Sequence, residues 1–132
     1  MSHKLVQVKD VLDNRFQIVD GKLTILEAME VAKTHNCDSL IVDKRHEHDE
    51  FGLVMLSDIA KQVISKDKSP ARVNVYEIMA KPVLAIRPDM DVRYCARLFE
   101  RFGISKAPVI DGEQVLGMVG YEDIVLKGIY HE

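Results

Sequence analysis

Residues 103–123 read GISKAPVIDGEQVLGMVGYED, which is two short apolar runs separated by a polar turn. The runs Ala107–Asp111 and Val115–Val119 have the length and the β-branched content that are typical of strands. The pair Asp111-Gly112 is a strong signal for a tight hairpin turn. The stretch therefore predicts two antiparallel strands, followed by residues that start a helix near Tyr121.

The first half of the chain carries the same arrangement. Gly52–Ile59 (GLVMLSDI) aligns residue by residue with Gly117–Ile124 (GMVGYEDI), and Ser39–Asp43 aligns with the first apolar run, Ala107–Asp111. The offset between the halves changes where loops are expected, because the polar residues 44–50 enlarge the first hairpin. We interpret the chain as two repeats, 1–66 and 67–132, joined by a polar linker at Lys66–Pro70.

Each repeat also predicts a helix before its two strands. Thr24 followed by Glu27 is a capping box, and Asp91 is the expected N-cap of the second helix, with Gly103 as its C-cap. The predicted apolar stripes are Ile25, Ala28, Met29 and Ala32 in the first helix, and Val92, Cys95, Ala96, Phe99 and Phe102 in the second. The closing helices are expected to bury Ile59, Val63 and Ile64 in the first repeat, and Ile124, Val125 and Ile129 in the second.

These elements predict an α+β fold built from two βαββα half-repeats packed about a pseudo-twofold axis. One half of about 60 residues buries too little surface to be stable alone, so the two halves are expected to share a core. Apolar stripes on the helices of both halves also suggest a homodimer.

Composition excludes several classes of protein. The 132 residues carry a net charge of −3 with both signs mixed, so nothing favours nucleic-acid binding. No apolar run approaches the roughly 20 residues that span a bilayer, and the start does not resemble a signal peptide. Cys37 and Cys95 lie in apolar segments without metal-site or redox spacing. Two reduced, buried thiols and a cytoplasmic location are therefore expected.

The second repeat resembles the motif of cystathionine-β-synthase-type (CBS) domains. The family has glycine, a hydrophobe, serine, two further residues and Pro-Val-hydrophobe-Asp, as in Gly103–Asp111, and then an apolar run closing on Asp123-Ile124. The first repeat has lost the proline in Asn36–Asp43 but keeps Gly52 and Asp58. The resemblance covers nearly the whole chain and implies a stand-alone tandem CBS pair.

Such pairs regulate a partner by binding AMP, ADP, ATP, NAD or S-adenosylmethionine in clefts between their halves. The resemblance gives Asp123 and Asp58 the role of binding ribose, since a carboxylate can accept from both hydroxyls. The alternative is that each merely caps its helix. The hydroxyl residue that the family has three positions before the aspartate is missing, because Met55 and Gly120 stand there. A glycine still offers a backbone N–H and permits close approach of a ligand.

The resemblance implies further ligand positions in the second repeat. They are Met79 and Leu84 beside the adenine, Ile104 and Ser105 at the base edge, Pro108 in the wall, and Met118 with Gly120 on the strand that precedes the aspartate. The matching positions of the first repeat are Leu12, Gln17, Asn36 and Cys37. Ordinary core packing is the alternative for all of them. Candidate phosphate-binding cations are Lys81, Arg87, Arg93, Lys106 and His35, among which the sequence does not choose.

Other chemistry has little support. His46 and His48 lie two residues apart in a polar loop, which favours a solvated loop over a metal site. The sequence has no Walker A motif, no GxGxxG and no GxSxG elbow, so we expect no catalysis and no required cofactor. Two hypotheses remain: a sensor of an adenosyl ligand that signals to a partner in trans, and a ligand-free dimerisation or docking module with closed clefts.

Overall fold

The computed structural model describes residues 5–128. Five strands and four helices, with two 3-10 turns, are found in that range. The strands are β1 (Phe16–Val19), β2 (Ser39–Val42), β3 (Gly52–Met55), β4 (Lys106–Asp111) and β5 (Gln114–Gly120). The helices are α1 (Ile25–Thr34), α2 (Leu56–Ile59, continued by a π-helical turn at Ala60–Ile64), α3 (Val92–Phe102) and α4 (Tyr121–Asp123, continued by a π-helical turn at Ile124–Gly128). The 3-10 turns are Val8–Asp10 and Val75–Glu77.

These elements form two compact units. The central unit is Arg15–Val83, and the terminal unit combines residues 5–14 with residues 84–128. The units therefore divide the chain differently from the sequence repeats 1–66 and 67–132. The central unit includes residues 67–83 of the second repeat, and the terminal unit includes residues 5–14 of the first. The boundary between the two CBS motifs at residue 66 stays a prediction.

In the central unit, β1 pairs in parallel with β2, and β2 pairs in antiparallel with β3. The outer side of β3 is extended by Ala80, which exchanges both main-chain hydrogen bonds with Leu53, at 3.0 and 2.9 Å. α1 packs against this sheet with Ile25, Ala28 and Ala32 buried. The core consists of this helical stripe and the apolar residues of the three strands.

The terminal unit repeats this plan with a sheet of two strands in place of three. β4 and β5 form the predicted hairpin, with a bulge between Val109 and Ile110. Asp13 exchanges both main-chain hydrogen bonds with Met118, at 2.8 and 2.9 Å, as Ala80 does with Leu53. The strand expected before α3 is reduced to one parallel bridge at Ile86. Prolines on both sides of Ile86, at positions 82 and 88, remove donors that a longer ladder needs.

Main-chain hydrogen bonds explain why each unit includes a segment of the other repeat. The N–H of Val8 donates to the carbonyl of Met90 at 2.8 Å, and the N–H of Val75 donates to that of Leu23 at 2.8 Å. The two bonds are equivalent in the repeat, since Val75 matches Val8 and Met90 matches Leu23. The turn Val8–Asp10 is therefore hydrogen-bonded to the loop before α3, and the turn Val75–Glu77 to the loop before α1. These bonds satisfy N–H groups that would otherwise be buried without a partner.

The predicted helix ends are confirmed. Glu27 donates its N–H to Thr24 Oγ1 at 3.1 Å, and Thr24 N–H donates to Glu27 Oε1 at 2.9 Å, which is the capping box. Asp91 caps α3 by accepting the N–H of Arg93 at 2.8 Å. Gly103 ends α3 in the left-handed conformation, with φ of 65°, which is why glycine stands there.

Three predicted apolar positions are corrected. Phe102 is 59% exposed, because it is the last residue of α3 and lies at the edge of the buried stripe. Ile64 and Val125 are also more than half exposed. Both lie in π-helical turns, directly after a buried residue, which is Val63 in the first turn and Ile124 in the second. Ile129 lies outside the described residues.

Cys37 and Cys95 are buried, as predicted, and neither is in a disulfide. Burial raises the pKa of the Cys95 thiol to about 11. No helix among residues 5–128 has both the length and the apolar character needed to cross a membrane.

Candidate functional site

In both repeats the side chain of an aspartate accepts a hydrogen bond from the last residue of the preceding strand. Asp58 Oδ2 accepts the N–H of Met55, the last residue of β3, at 2.8 Å. Asp123 Oδ2 accepts the N–H of Gly120, the last residue of β5, at 2.9 Å. Each carboxylate thus lies in the first turn of a helix, where exposed N–H groups favour a negative charge. Both aspartates therefore cap their helices, and whether they also bind ribose stays a prediction.

The two aspartates differ in their surroundings. Asp123 is 6% exposed, and its Oδ1 forms an ion pair with Lys127 Nζ at 2.9 Å. The same ammonium donates to the carbonyl of Leu12 at 3.0 Å. Asp58 is half-buried, and the position that matches Lys127 in the first repeat is Gln62, whose oxygen accepts from Lys66. Only the second motif therefore combines its aspartate with a cation one helical turn later.

The β4–β5 pairing brings two predicted ligand segments together. Lys106 is the register partner of Gly120, and the N–H of Tyr121 donates to the carbonyl of Ser105 at 3.2 Å. Ser105 is exposed, while Asp123 on the adjoining helix is buried. The exposed Ser105 and the last residue of β5 thus lie beside the capping aspartate within one unit.

Gly120 lies close to Ser105 and to Lys106, the first residue of β4. A Cβ on this residue would lie 3.2 Å from the Ser105 carbonyl oxygen and 3.5 Å from Lys106 Cγ. The space that a side chain at position 120 needs is therefore limited by β4 and the residue before it. The N–H of Gly120, which the sequence analysis offered to a ligand, is instead donated to Asp123, and packing against Ser105 gives a further reason for glycine at this position.

The remaining predicted positions of the second repeat fall in different surroundings. Ile104 is half-buried against the terminal core, and Met118 and Pro108 are buried. The carbonyl of Pro108 accepts the N–H of Ile86 at 2.9 Å. Packing accounts for Met118 and Pro108, and their contact with a ligand stays a prediction.

Met79 and Leu84 lie in different units. Met79 packs against the central core, where its sulfur lies 2.8 Å from where a Cβ on Gly52 would be, and Leu84 packs against the terminal core. The first-repeat counterparts divide in the same way. Leu12 packs against the terminal core, Gln17 lies in β1, and Asn36 and Cys37 follow α1 in the central unit.

Four of the five candidate phosphate-binding cations are held by carboxylates. The Nζ of Lys106 lies 3.1 Å from Asp13 Oδ2, and the two side chains are 9% and 5% exposed. The other pairs are Lys81 with Asp49 at 2.6 Å, Arg93 with Asp91 at 2.8 Å, and Arg87 with Asp89 at 3.3 Å. The arginine partners lower the pKa of Asp91 and of Asp89. His35 is exposed at the C-terminus of α1.

The polar loop 44–50 is mostly exposed, and hydrogen bonds hold one of its carboxylates, Asp49. Asp49 accepts from the backbone N–H of Arg45 at 2.9 Å and from its Nε at 3.0 Å, besides pairing with Lys81. These hydrogen bonds hold the pKa of Asp49 well below its usual range. The sequence did not predict the ion pair with Lys81, because that residue lies far along the chain. Among residues 5–128, no group of three His, Cys, Asp or Glu side chains could hold a metal ion.

Comparison with protein families gives one match. Residues 75–128 match the model of the CBS domain. The chain is 30% identical over 103 residues to an uncharacterized protein of Methanopyrus kandleri, a match that covers 74% of this chain. It is 32% identical over 127 residues to the L-aspartate semialdehyde sulfurtransferase of Methanocaldococcus jannaschii, covering 94% of this chain. The chain spans 52% of the first relative and 23% of the second.

Solved structures share the fold. The hexameric CBS-CP12 protein from bloom-forming cyanobacteria superposes with a TM-score of 0.91 and is 35% identical, over 96% of this chain and 73% of that protein. The CBS domain pair of protein MJ0100, in complex with 5'-methylthioadenosine and S-adenosyl-L-methionine, superposes with a TM-score of 0.77 at 29% identity. That match covers 92% of this chain and 94% of the solved pair. The predicted α+β arrangement of repeated β-α-β-β-α elements is thereby confirmed.

Proposed function

Because this chain belongs to the CBS domain family, we propose that it is a regulatory module that binds an adenosine-containing ligand and signals to a partner protein. The proposed ligand-binding surface in the terminal unit comprises the exposed Ser105 and the carboxylate of Asp123. Ile104 and Gly120 lie beside them, with their own N–H groups donated to Phe99 and to Asp123. No catalytic step is proposed for it. The activities of its enzyme relatives belong to proteins of which this chain matches only a part.

The observation that carries this proposal is the junction between β4 and β5. There the start of β4 pairs with the end of β5, so that Ser105, Gly120 and Asp123 lie close together in one unit, which supports the proposal. A carboxylate offers about four acceptor positions. The N–H of Gly120 and the ammonium of Lys127 each use one of them, which leaves capacity for ribose hydroxyls. The ligands of the MJ0100 pair support an adenosyl group as the common element.

The ion pairs favour a ligand that carries few phosphates. Lys106, Arg93, Arg87 and Lys81 each already have a carboxylate partner. Recruiting Lys106 to a triphosphate would leave the buried Asp13 with one fewer cation, which is costly in a desolvated site. We therefore propose S-adenosylmethionine or 5'-methylthioadenosine as better ligands than ATP. Self-association of the chain is part of the same proposal, and the hexameric CBS-CP12 relative shows that the fold can assemble.

The second candidate function is a ligand-free docking module. The specific observation in its favour is that Asp123 is buried and paired with Lys127, so that a ligand must compete with an internal cation. The close approach of the Ser105 carbonyl to Gly120 points the same way. The two candidates differ in whether any adenosyl compound binds.

Isothermal titration with S-adenosylmethionine, 5'-methylthioadenosine, AMP, ADP, ATP and NAD distinguishes them. Binding of the first two more tightly than ATP supports the proposal, and a thermal shift provides a second readout. A ligand at 100 times its dissociation constant adds about 2.7 kcal/mol of stability. Absence of heat and of a thermal shift with every compound up to millimolar concentration would reject the sensor and favour the docking module.

Matched variants locate the site. Asp123→Asn keeps an oxygen for the Gly120 N–H but loses the charge, and it should weaken binding by roughly 1.5–3 kcal/mol, as for a lost charged hydrogen bond. Lys127→Met removes the internal competitor and should leave binding unchanged or tighter. Asp58→Asn is the control from the first motif. Equal affinities of wild type and Asp123→Asn would exclude Asp123 as the ribose acceptor.

A further inference from the structure

A cavity of about 440 Å³ opens in the central unit, at the end of the sheet where Val42 of β2 pairs with Gly52 of β3. Val42 and Met79 contribute its apolar wall, and both pack with the core between the sheet and α1. β3 is four residues long and spans about 10 Å, and Asp58 follows its far end. Of the residues that the family resemblance gives to the nucleoside, only Met79 borders the cavity. Its volume lies within the range of about 300–1,000 Å³ that is usual for small-molecule sites.

Tyr76 adds an aromatic surface to this wall. Its N–H donates to the carbonyl of Gly21 at 3.0 Å, so the 3-10 turn Val75–Glu77 is held against the loop before α1. The side chain of Tyr76 borders the cavity and is 55% exposed. An aromatic ring beside a thioether and a branched aliphatic side chain favours a ligand that covers them with an apolar group.

Charged side chains of both signs line the same cavity. Asp20 and Lys22 lie in the loop before α1, Asp43 follows β2, and all three are exposed. Asp20 Oδ1 accepts the N–H of Lys22, and Asp43 Oδ1 accepts the N–H of Lys44, both at 2.8 Å. A carboxylate has about four acceptor positions, so each keeps capacity for a donor on a ligand. The ammonium of Lys22 forms no ion pair with any residue in the range 5–128.

A buried carboxylate fixes two further cations of the lining. The side chain of Asp49 is 7% exposed, and it pairs with Lys81 Nζ at 2.6 Å and with Arg45 Nε at 3.0 Å. We call these three residues the Asp49 cluster. One carboxylate shared by two cations leaves a net positive charge, and the ion pairs hold that charge in place before any ligand arrives. Such preorganisation lowers the entropy that binding costs.

We propose that this cavity binds a free α-amino acid with an apolar side chain, at a site separate from the proposed adenosyl site. The α-carboxylate lies near Lys22 and the Asp49 cluster, and the α-ammonium lies near Asp20 and Asp43. The apolar side chain of the ligand covers Val42, Met79 and the ring of Tyr76.

The mixed charge of the lining selects this class of ligand. Cations alone would suit a phosphate or a dicarboxylate, but Asp20 and Asp43 repel a multiply charged anion. A purely cationic ligand would in turn be repelled by Lys22 and the Asp49 cluster. A zwitterion satisfies both signs at once, and an apolar side chain distinguishes the favoured amino acids from glycine, which would leave the wall uncovered.

Isothermal titration of the whole chain with L-leucine, L-methionine and L-phenylalanine tests the proposal. At least one of them should bind, and its N-acetyl derivative and its methyl ester should each bind about tenfold more weakly or worse, because each lacks one charge. Absence of heat with all three up to millimolar concentration overturns the proposal. Equal affinity for acetate, or for either derivative, shows that the two charges are not both recognised and likewise overturns it.

Variants place the ligand in this cavity. Lys22→Met removes a cation that has no ion-pair partner in the described range, so it should weaken binding about tenfold or more without lowering the Tm. The double variant Asp20→Asn with Asp43→Asn removes both negative charges but keeps oxygens for the local N–H groups, and it should have a similar effect. Lys33→Met, at an exposed lysine of α1 outside the cavity, is the matched control. Unchanged affinity in either cavity variant overturns the assignment.

A competition experiment separates this site from the proposed adenosyl site. The nucleoside 5'-methylthioadenosine has no amino-acid part, so a saturating concentration of it should leave the affinity for the amino acid unchanged, as should Asp123→Asn. Competition between the two compounds rejects a separate site. If no adenosyl compound binds but an amino acid does, the adenosyl proposal fails while the amino-acid site stands.

Discussion

Lys106 and Asp13 lie 93 residues apart in the chain and form an ion pair that is almost fully buried, with Nζ 3.1 Å from Oδ2. The pair links the segment before β1 to the first residue of β4 within the terminal unit. Buried ion pairs are expensive to break, because the remaining charge loses its counter-charge in a region with little water.

Asp13→Ala should therefore lower the free energy of unfolding by about 3 kcal/mol. Adding Lys106→Met should recover part of this loss, since the ammonium that has lost its carboxylate is replaced by an apolar chain. Urea denaturation measures both. Asp89→Ala, which breaks the exposed pair with Arg87, is the control and should cost less than about 1 kcal/mol. If the double variant lost as much stability as the Asp13→Ala and Lys106→Met variants lose separately in sum, the two residues would not be coupled.

Asp49 should make stability depend on pH through the loop 44–50. Its pKa is lowered by hydrogen bonds from Arg45 and Lys81, so the folded state favours the ionised form. The resulting stability is present above the ordinary carboxyl pKa of 3.8 and is lost as the pH falls towards the lower folded-state value.

Asp49→Asn should accordingly lower the Tm at pH 7, and the difference from wild type should shrink as the pH is lowered to 3. Calorimetry across this range measures it. Glu47→Gln is the control from the same loop, since its side chain is exposed and its ion pair with His48 lies at the surface, where such pairs contribute little. A difference that stays constant from pH 7 to pH 3 would show that the charge of Asp49 is irrelevant.

Even a methyl group at position 120 should destabilise the protein. Its φ of −132° suits any residue, so the constraint is the 3.2 Å approach of a Cβ to the Ser105 carbonyl. Gly120→Ala is expected to destabilise the protein by about 1–3 kcal/mol, the usual cost of overpacking. A Cβ on Gly128 makes only ordinary contacts, from 3.5 Å, and Gly128→Ala should be neutral or stabilising. Equal stabilities of the two variants would refute this explanation.

Cys95 should react slowly in the native protein. Its thiol is fully buried and has a pKa of about 11, so little thiolate is present at pH 8. Iodoacetamide labelling followed by mass spectrometry should modify Cys95 only after denaturation. Cys37, which is also buried, is the internal comparison. Rapid native labelling of Cys95 would indicate that α3 opens readily.

The local features of the fold were predictable because a few adjacent residues encode each of them. The capping box of Thr24, the left-handed Gly103 and the Asp111-Gly112 turn each depend on conformational preferences that act over one turn of chain. The repeated aspartate also belongs here, since its bond to the N–H three residues earlier is local. These signals were sufficient to identify the repeats and the family.

The tertiary structure decided which segments share a unit and which charges meet. Residues 5–14 join the second repeat because main-chain donors such as the N–H of Val8 match acceptors in a distant loop, at Met90. The ion pairs of Asp13 with Lys106 and of Asp49 with Lys81 likewise form because folding brings distant segments together. No residue spacing in the sequence predicts such pairs. The sequence by itself therefore determined the elements, their order and the candidate aspartates. The packed chain determined that Asp123 is buried, that the candidate lysines and arginines are already paired, and that Phe102 is left exposed at the end of its helix.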